Sequence, residues 1–347
     1  MSAAEQTAAS QTASGQSTYR ALVCSHLSED LSGVGMQSLP CKAPGPREVV
    51  VALRAASVNY PDYLMTQGRY QFKPEPPFIL GMEGAGVVAA VGTDVTGFAV
   101  GDRVLAHQKT GCYAERIVLP MSSVRALPKG LDFAQGAAFQ AAALTAYVSL
   151  VRRGNLATGE TLLVHGASGG VGMATVQLGR HLGARVIATG TSDEKLAVVR
   201  EQGAHEVINL TREDLRERVK ELTGGRGADV IFDPIGGDVF DQSLRCIAWD
   251  GRLLVIGFVS GRIATVPSNI PLIKGFSVVG VRAGEYGRRD PVKGAENIRA
   301  IDQLAEQGVF RPYIGARFPL DRALDALRYL VDRKVVGKVA IEMPGND

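Results

Sequence analysis

His165-Gly166-Ala167-Ser168-Gly169-Gly170-Val171-Gly172 is the stretch on which the reading of this chain turns. Before it runs Thr161-Leu162-Leu163-Val164, an apolar segment of strand character. After it, Val171, Ala174, Val176 and Leu178 recur at helical spacing. A strand that turns sharply into a helix needs a residue without Cβ at the turn and another where the helix packs on the strand. A further bare position lets backbone N–H groups approach a pyrophosphate. Gly169, Gly170 and Gly172 meet these demands, and the helix N-terminus favours an anion. Ala167 replaces the first glycine of the GxGxxG pattern. With Ser168 and Val171 these residues form a candidate dinucleotide loop; a plain tight turn is the competing reading.

Downstream the alternation continues. RVIATG precedes a helical segment at 192–202, EVINL one at 212–222, and ADVIFDPIG one at 240–248, before RLLVIGF. A strand and a helix in every 25 residues or so is the pattern of βαβ units on a doubly wound parallel sheet. A strand at 276–281 and a helix at 291–307 follow, then a Leu/Ala helix at 321–333 and a closing strand at 338–343. Upstream, from Tyr19 to Leu131, short β-rich runs at Glu48–Val58, 84–91, 101–106 and 112–119 are punctuated by Gly and Pro. That spacing predicts an antiparallel, barrel-like domain.

Composition narrows the function. The 347 residues are 46% apolar and 21% charged with a net charge of +3, which gives no electrostatic case for nucleic acid or a membrane surface. No apolar run reaches the roughly 18 residues of a membrane span. Four scattered cysteines make no disulfide framework and point to a reducing, cytoplasmic setting. Residues 1–18, rich in Ala, Ser, Thr and Gln, read as a disordered tail without the basic start and apolar stretch of a signal peptide.

Cofactor choice is expected at the tip of the next strand, where a carboxylate would bind an NAD ribose. Here Gly190-Thr191-Ser192 stands there with no acid. Ser192 and Lys195 offer a hydroxyl and an ammonium to a 2′-phosphate, so NADPH is favoured over NADH. Asp193 and Glu194 count against this unless they face solvent. A solvated helix face is the plain alternative for Lys195.

In ASVNYPDYLMTQGRYQFKPEPPFILGMEGAGVVAAVG at 56–92, Gly101-Asp102-Arg103-Val104, Leu144-Thr145-Ala146-Tyr147 and HGASGGVG, the chain resembles the zinc-free medium-chain dehydrogenase/reductases, in the quinone oxidoreductase (zeta-crystallin-like) branch. The resemblance implies an α/β protein with a GroES-like β-barrel domain at 19–140 and a Rossmann domain at 141–285. A segment at 286–347 would complete the catalytic domain, and a homodimer is implied. The positions aligned with the zinc branch's catalytic ligands are Asn59, Met82 and Ala143, so no metal is expected. The resemblance also implies that Asn59 and Tyr70 face the nicotinamide and the substrate, where both would donate to a developing oxyanion. Helix capping is the plain alternative for Asn59, and a loop aromatic covering the core for Tyr70. Thr145 is implied near the nicotinamide carboxamide, with a hydroxyl bonding its own helix as the alternative. Ile256-Gly257-Phe258 ends a central strand where such sheets bind ligands. Arg282, beyond another such strand, is a candidate contact for substrate or a cofactor phosphate, with a surface arginine as the plain alternative. His165 reads as a strand-end histidine.

The resulting expectation is an NADPH-dependent reductase acting on a small molecule, either a quinone or an α,β-unsaturated carbonyl. An enoyl-thioester reductase stays open, because Leu64 stands where quinone reductases carry a Tyr. A non-catalytic NADPH-binding protein and a zinc alcohol dehydrogenase are the competitors from other classes.

Overall fold

A computed structural model describes residues 17–344. Most of the expected N-terminal tail therefore lies outside the described residues, and Thr18 already opens the first strand, Thr18–Cys24.

The strand–helix alternation builds a six-stranded sheet in the order Glu206–Asn209, Arg185–Gly190, Thr161–Val164, Ala228–Asp233, Ile247–Val255, Ser277–Gly280. Every neighbouring pair is parallel. Thr161–Val164 is buried at every position, as a strand covered by helices on both faces must be. The chain first steps outward from Thr161–Val164 on one side, then crosses to Ala228–Asp233 on the other. The two central strands thus flank the point where strand order reverses, and the crevice there is where open α/β sheets hold ligands. The glycine-rich loop leaves the sheet at this place.

The other half is largely antiparallel. A seven-stranded sheet runs Ile314–Pro319, Lys338–Glu342, Glu48–Val58, Glu83–Val91, Arg103–His107, Val124–Ala126, with Arg116–Pro120 paired to Glu48–Val58. A smaller sheet holds Val34–Pro40, Thr18–Cys24 and Phe78–Ile79. The last strands of the chain thus complete the sheet begun by Glu48–Val58.

Three local differences from the sequence reading have physical causes. The helix expected at 240–248 runs over Gly237–Cys246 instead. Asp233 Oδ1 accepts from the N–H groups of Ile235 and Gly236, and Gly236 and Gly237 take φ of +69° and +57°, so the turn closes early and releases Ile247 and Ala248 to the next strand. At 112–119 only Arg116–Pro120 is strand, because Cys112 and Tyr113 donate to the carbonyls of Gly81 and Leu80 in a loop. The helix Pro291–Glu306 packs on Gln140–Tyr147 and buries Ile301 and Ala305 in the core of the parallel sheet. The chain rejoins the barrel sheet at Ile314, later than the boundary at 286.

Candidate functional site

The loop carries the marks of a bare backbone cradle. Gly166 sits at φ +57°, a left-handed conformation that suits glycine. A Cβ on Gly172 would lie 2.4 Å from Gly166 O and 2.7 Å from Ala167 Cα, so the helix rests directly on the strand end. Gly169 is the N-cap of Gly170–His181, and the N–H groups of Gly170, Val171 and Gly172 lie in its first turn, where no intrahelical acceptor exists. These donors, together with the helix dipole, fit a dinucleotide diphosphate. Gly170 has a different neighbour from the one expected. Its missing Cβ would sit 2.2 Å from Lys338 Cδ, because the lysine stem lies across the loop. Gly337 N donates to Ser168 O at 2.7 Å and fixes that crossing.

At the tip of Arg185–Gly190, Thr191 is exposed, and residues 190–192 carry no carboxylate. Asp193 reaches the end of the neighbouring strand, accepting from Asn209 Nδ2, opposite Gly190, at 2.9 Å and from Arg212 Nη2 at 2.8 Å. Ser192 caps Asp193–Glu201 by accepting from Lys195 N. Lys195 Nζ donates to the carbonyls of Arg333 and Val335, at 2.6 and 3.1 Å. Two of its three N–H groups are thereby committed to a turn. Its half-burial lowers the pKa of the ammonium.

The catalytic pair is placed differently from expectation. Asn59 caps Tyr60–Thr66, and its backbone N–H donates to Asp62 Oδ2. Asn59 Nδ2 donates to Glu83 Oε2 at 3.0 Å and to Ser57 O at 3.3 Å, while its Oδ1 accepts from Lys338 Nζ at 2.7 Å. The amide orientation is fixed, since an ammonium only donates and a carboxylate only accepts. Both amide hydrogens have acceptors in this structure, where the side chain bridges Lys338 and Glu83. Tyr70 differs. It is half-buried against the barrel core, and among the described residues its hydroxyl has no hydrogen-bond partner. Beside it, Gln71 Oε1 accepts from Arg282 Nη2 at 3.1 Å, joining the segment after Tyr70 to the chain just beyond Ser277–Gly280. Thr145 donates to Ala141 O at 2.7 Å, the helix-internal bond of the plain reading, and its oxygen stays able to accept. Ile256-Gly257-Phe258 runs beside Pro234, whose carbonyl accepts from Val259 N.

His165 is a framework residue. It is fully buried, with Nδ1 2.9 Å from Thr189 Oγ1 and Nε2 2.8 Å from Ser243 Oγ. Because Ser243 donates to Val239 O, it accepts from Nε2, which assigns the tautomer. Burial pushes the pKa down to about 4, so the ring is neutral.

Sequence reasoning missed the polar centre behind Asn59. Asp62, Glu83 and Lys338 are all buried, with Lys338 Nζ 3.9 Å from Glu83 Oε2. Tyr113 donates to Asp62 Oδ2 at 2.8 Å, and Asp62 Oδ1 has no hydrogen-bond partner among the described residues. Burial pushes Asp62 up to about 7 and lowers Lys338. The available signals were an acid inside the apolar run GMEGAGVV and a lysine opening an apolar strand.

The family described as alcohol dehydrogenase GroES-like domain matches residues 45–147, and that described as zinc-binding dehydrogenase matches 170–299. A quinone oxidoreductase-like protein 2 homolog of Nematostella vectensis is 40% identical over 330 residues, covering 94% of this chain and 90% of its own. The chain belongs to the quinone oxidoreductase branch of the medium-chain dehydrogenase/reductases. The crystal structure of the Pseudomonas syringae pv. Tomato DC3000 quinone oxidoreductase has a TM-score of 0.82 and 31% identity, covering 93% of this chain and 99% of that one. A mycobacterial protein solved with NADPH has a TM-score of 0.82 and 29% identity, covering 93% and 99%. The family fold is a GroES-like domain with an NAD(P)-binding domain, and its activity class is oxidoreductase.

A zinc ion does not fit the residues present in this member. The Asn59 amide is committed at both ends, Met82 offers a thioether and Ala143 a methyl group. Among the described residues no group of three or more His, Cys, Asp or Glu is arranged to hold a metal.

Proposed function

We propose that this chain is an NADPH-dependent reductase that delivers hydride to a quinone or an α,β-unsaturated carbonyl without a metal. The observation that carries the reading is the side-chain set at the position of the family's metal. An amide held between an ammonium and a carboxylate stands there, with no ligand set, beside a loop built for a diphosphate. When bound, the nicotinamide supplies the hydride. The first-turn N–H groups of Gly170, Val171 and Gly172 hold the diphosphate. Gly190, Thr191 and Ser192 leave room for a 2′-phosphate where an acid would repel it. Tyr70, whose hydroxyl is unspent, donates to the carbonyl oxygen as negative charge develops and can hand over its proton. Arg282 and Gln71, hydrogen-bonded to each other next to Tyr70 in the chain, are the side chains we assign to the edge of the substrate site.

A homodimer belongs to the same reading. Ser277–Gly280 is the open edge of the parallel sheet, and Val278 on it and Trp249, Leu272 and Ile273 nearby are exposed. An unpaired edge with apolar neighbours is suited to pairing with a second copy. The free cysteines accord with a reducing cytoplasm.

The test is purified protein with NADPH and a panel of quinones, enones and enoyl thioesters, followed by the nicotinamide absorbance. Oxidation with a quinone or enone supports the reading. Tight NADPH binding with no oxidation across the panel would make the chain a non-catalytic binder, and turnover confined to thioesters would move it to the enoyl-thioester reductases.

A further inference from the structure

We propose that Lys338 is a positioning residue that ties the dinucleotide loop to the wall of the substrate site, acting through Asn59 and Glu83. The inference rests on the reductase reading for its kinetic consequence, whereas the geometry stands on its own.

Lys338 opens the strand Lys338–Glu342, yet its side chain leaves that strand and crosses Gly170 at the start of the loop helix. The preceding residue, Gly337, takes φ +67° and pairs with Gly169, so the backbone is pinned to the loop before the side chain departs. From there Nζ reaches Asn59 Oδ1 at 2.7 Å. Asn59 hands the contact on to Glu83 Oε2, and Glu83 Oε1 accepts from Ala141 N at 2.6 Å in the first turn of Gln140–Tyr147, the helix that carries Thr145. On its other side Asn59 opens Tyr60–Thr66, the helix that leads to Tyr70.

One ammonium thus joins the loop, the helix before Tyr70 and the helix of Thr145. An isolated buried cation is costly, and a chain with no need of one here could have placed a methionine over Gly170. Lys338 is 7% exposed, and the acids near it, Glu83 and Asp62, are 2% and 0% exposed. The cation is therefore held where water contributes little, and its directional bond to Asn59 sets the amide orientation. Gly170 is bare on this account to let the stem pass as well as to let an anion approach.

The experiment compares the wild type with Lys338→Met and with the charge-balanced pair Lys338→Met/Glu83→Gln. The pair removes one positive and one negative charge together, so it should fold even if the single variant does not. Dinucleotide affinity is read by fluorescence titration with NADPH, turnover by kcat, and local order by hydrogen exchange over 59–66 and 140–147. Misplacement by 1 Å can cost about a hundredfold in rate, so the expectation is a kcat loss of at least about thirtyfold with NADPH affinity held within about threefold. Faster exchange over both segments is expected as well. Asn59→Ala should add little to Lys338→Met, because the two act in series. Wild-type kcat in a folded variant, multiplicative losses with Asn59→Ala, or kcat and NADPH affinity falling in parallel would overturn the proposal. If the wild type itself turns nothing over, the reductase reading fails. The positioning claim is then judged on hydrogen exchange alone, and unchanged protection over both segments would refute it.

Discussion

Replacing Gly172 by alanine puts a methyl carbon 2.4 Å from Gly166 O and 2.7 Å from Ala167 Cα, both backbone atoms that cannot swing aside. Relief to an ordinary contact of about 3.5 Å requires the helix start to move by roughly 1 Å from the strand end. Overpacking of this kind costs about 1–3 kcal/mol, and alanine's helix preference over glycine returns up to about 1 kcal/mol. A net loss of about 1–2 kcal/mol should lower Tm by roughly 1–3 °C in a chain of this length. The same displacement moves the first-turn N–H groups off a diphosphate, and each charge-assisted bond is worth about 1.5–3 kcal/mol. The Kd for NADPH should therefore rise by at least about tenfold, or 1.4 kcal/mol. Gly169 is the internal comparison. Its φ of −81° and ψ of 163° suit any residue, and its Cβ would meet nothing closer than Gly166 O at 3.5 Å. The fold makes no demand for glycine there, but an approaching diphosphate does. Gly169→Ala should accordingly keep Tm within about 0.5 °C while weakening NADPH. Isothermal titration and thermal melting of the two variants check this. Wild-type affinity in Gly172→Ala, or equal losses of Tm in both variants, would refute the assignment of the loop.

Tyr70→Phe keeps the ring and its packing but removes the unspent hydroxyl; turnover should fall by about 10²-fold for enones and less for quinones, with NADPH affinity unmoved. Intact turnover on every substrate would leave Tyr70 a lid. NADPH should bind at least about tenfold tighter than NADH, and Lys195→Ala should narrow that ratio in competitive titrations; an unchanged ratio would confine Lys195 to the turn at Arg333 and Val335. Exhaustive chelation should leave turnover unchanged, and loss restored by zinc would count against the reading of Asn59, Met82 and Ala143. Asp62, with its pKa raised to about 7, stays protonated in the fold while the unfolded chain ionises near pH 4. Its stabilising proton is fully in place below the unfolded pKa and is lost as pH rises toward 7, so Asp62→Asn should gain Tm relative to the wild type between pH 4 and 7. A difference in Tm that stays flat with pH would contradict the burial argument.

The glycine-rich loop and the strand–helix alternation were legible in the sequence because both are local demands. A strand buried on both faces must be apolar, a sharp strand-to-helix turn must be bare, and each reads within a dozen residues. The tip of Arg185–Gly190 was legible for the same reason, as the absence of an acid is a property of one position. The helix at Gly237–Cys246 was misplaced by three residues, since its start depends on Asp233 capping a turn that ends in two consecutive glycines with positive φ. The centre of the site was decided only by the tertiary structure. Asn59 was visible as a polar residue ahead of a helix, but its partners lie 24 and 279 positions away, at Glu83 and Lys338. Nothing in the spacing of those residues says that an ammonium will cross Gly170 and consume the amide. The physical reason is that a buried charge is tolerated only where its partners converge in space, and which partners converge depends on how the barrel strands and the loop are brought together.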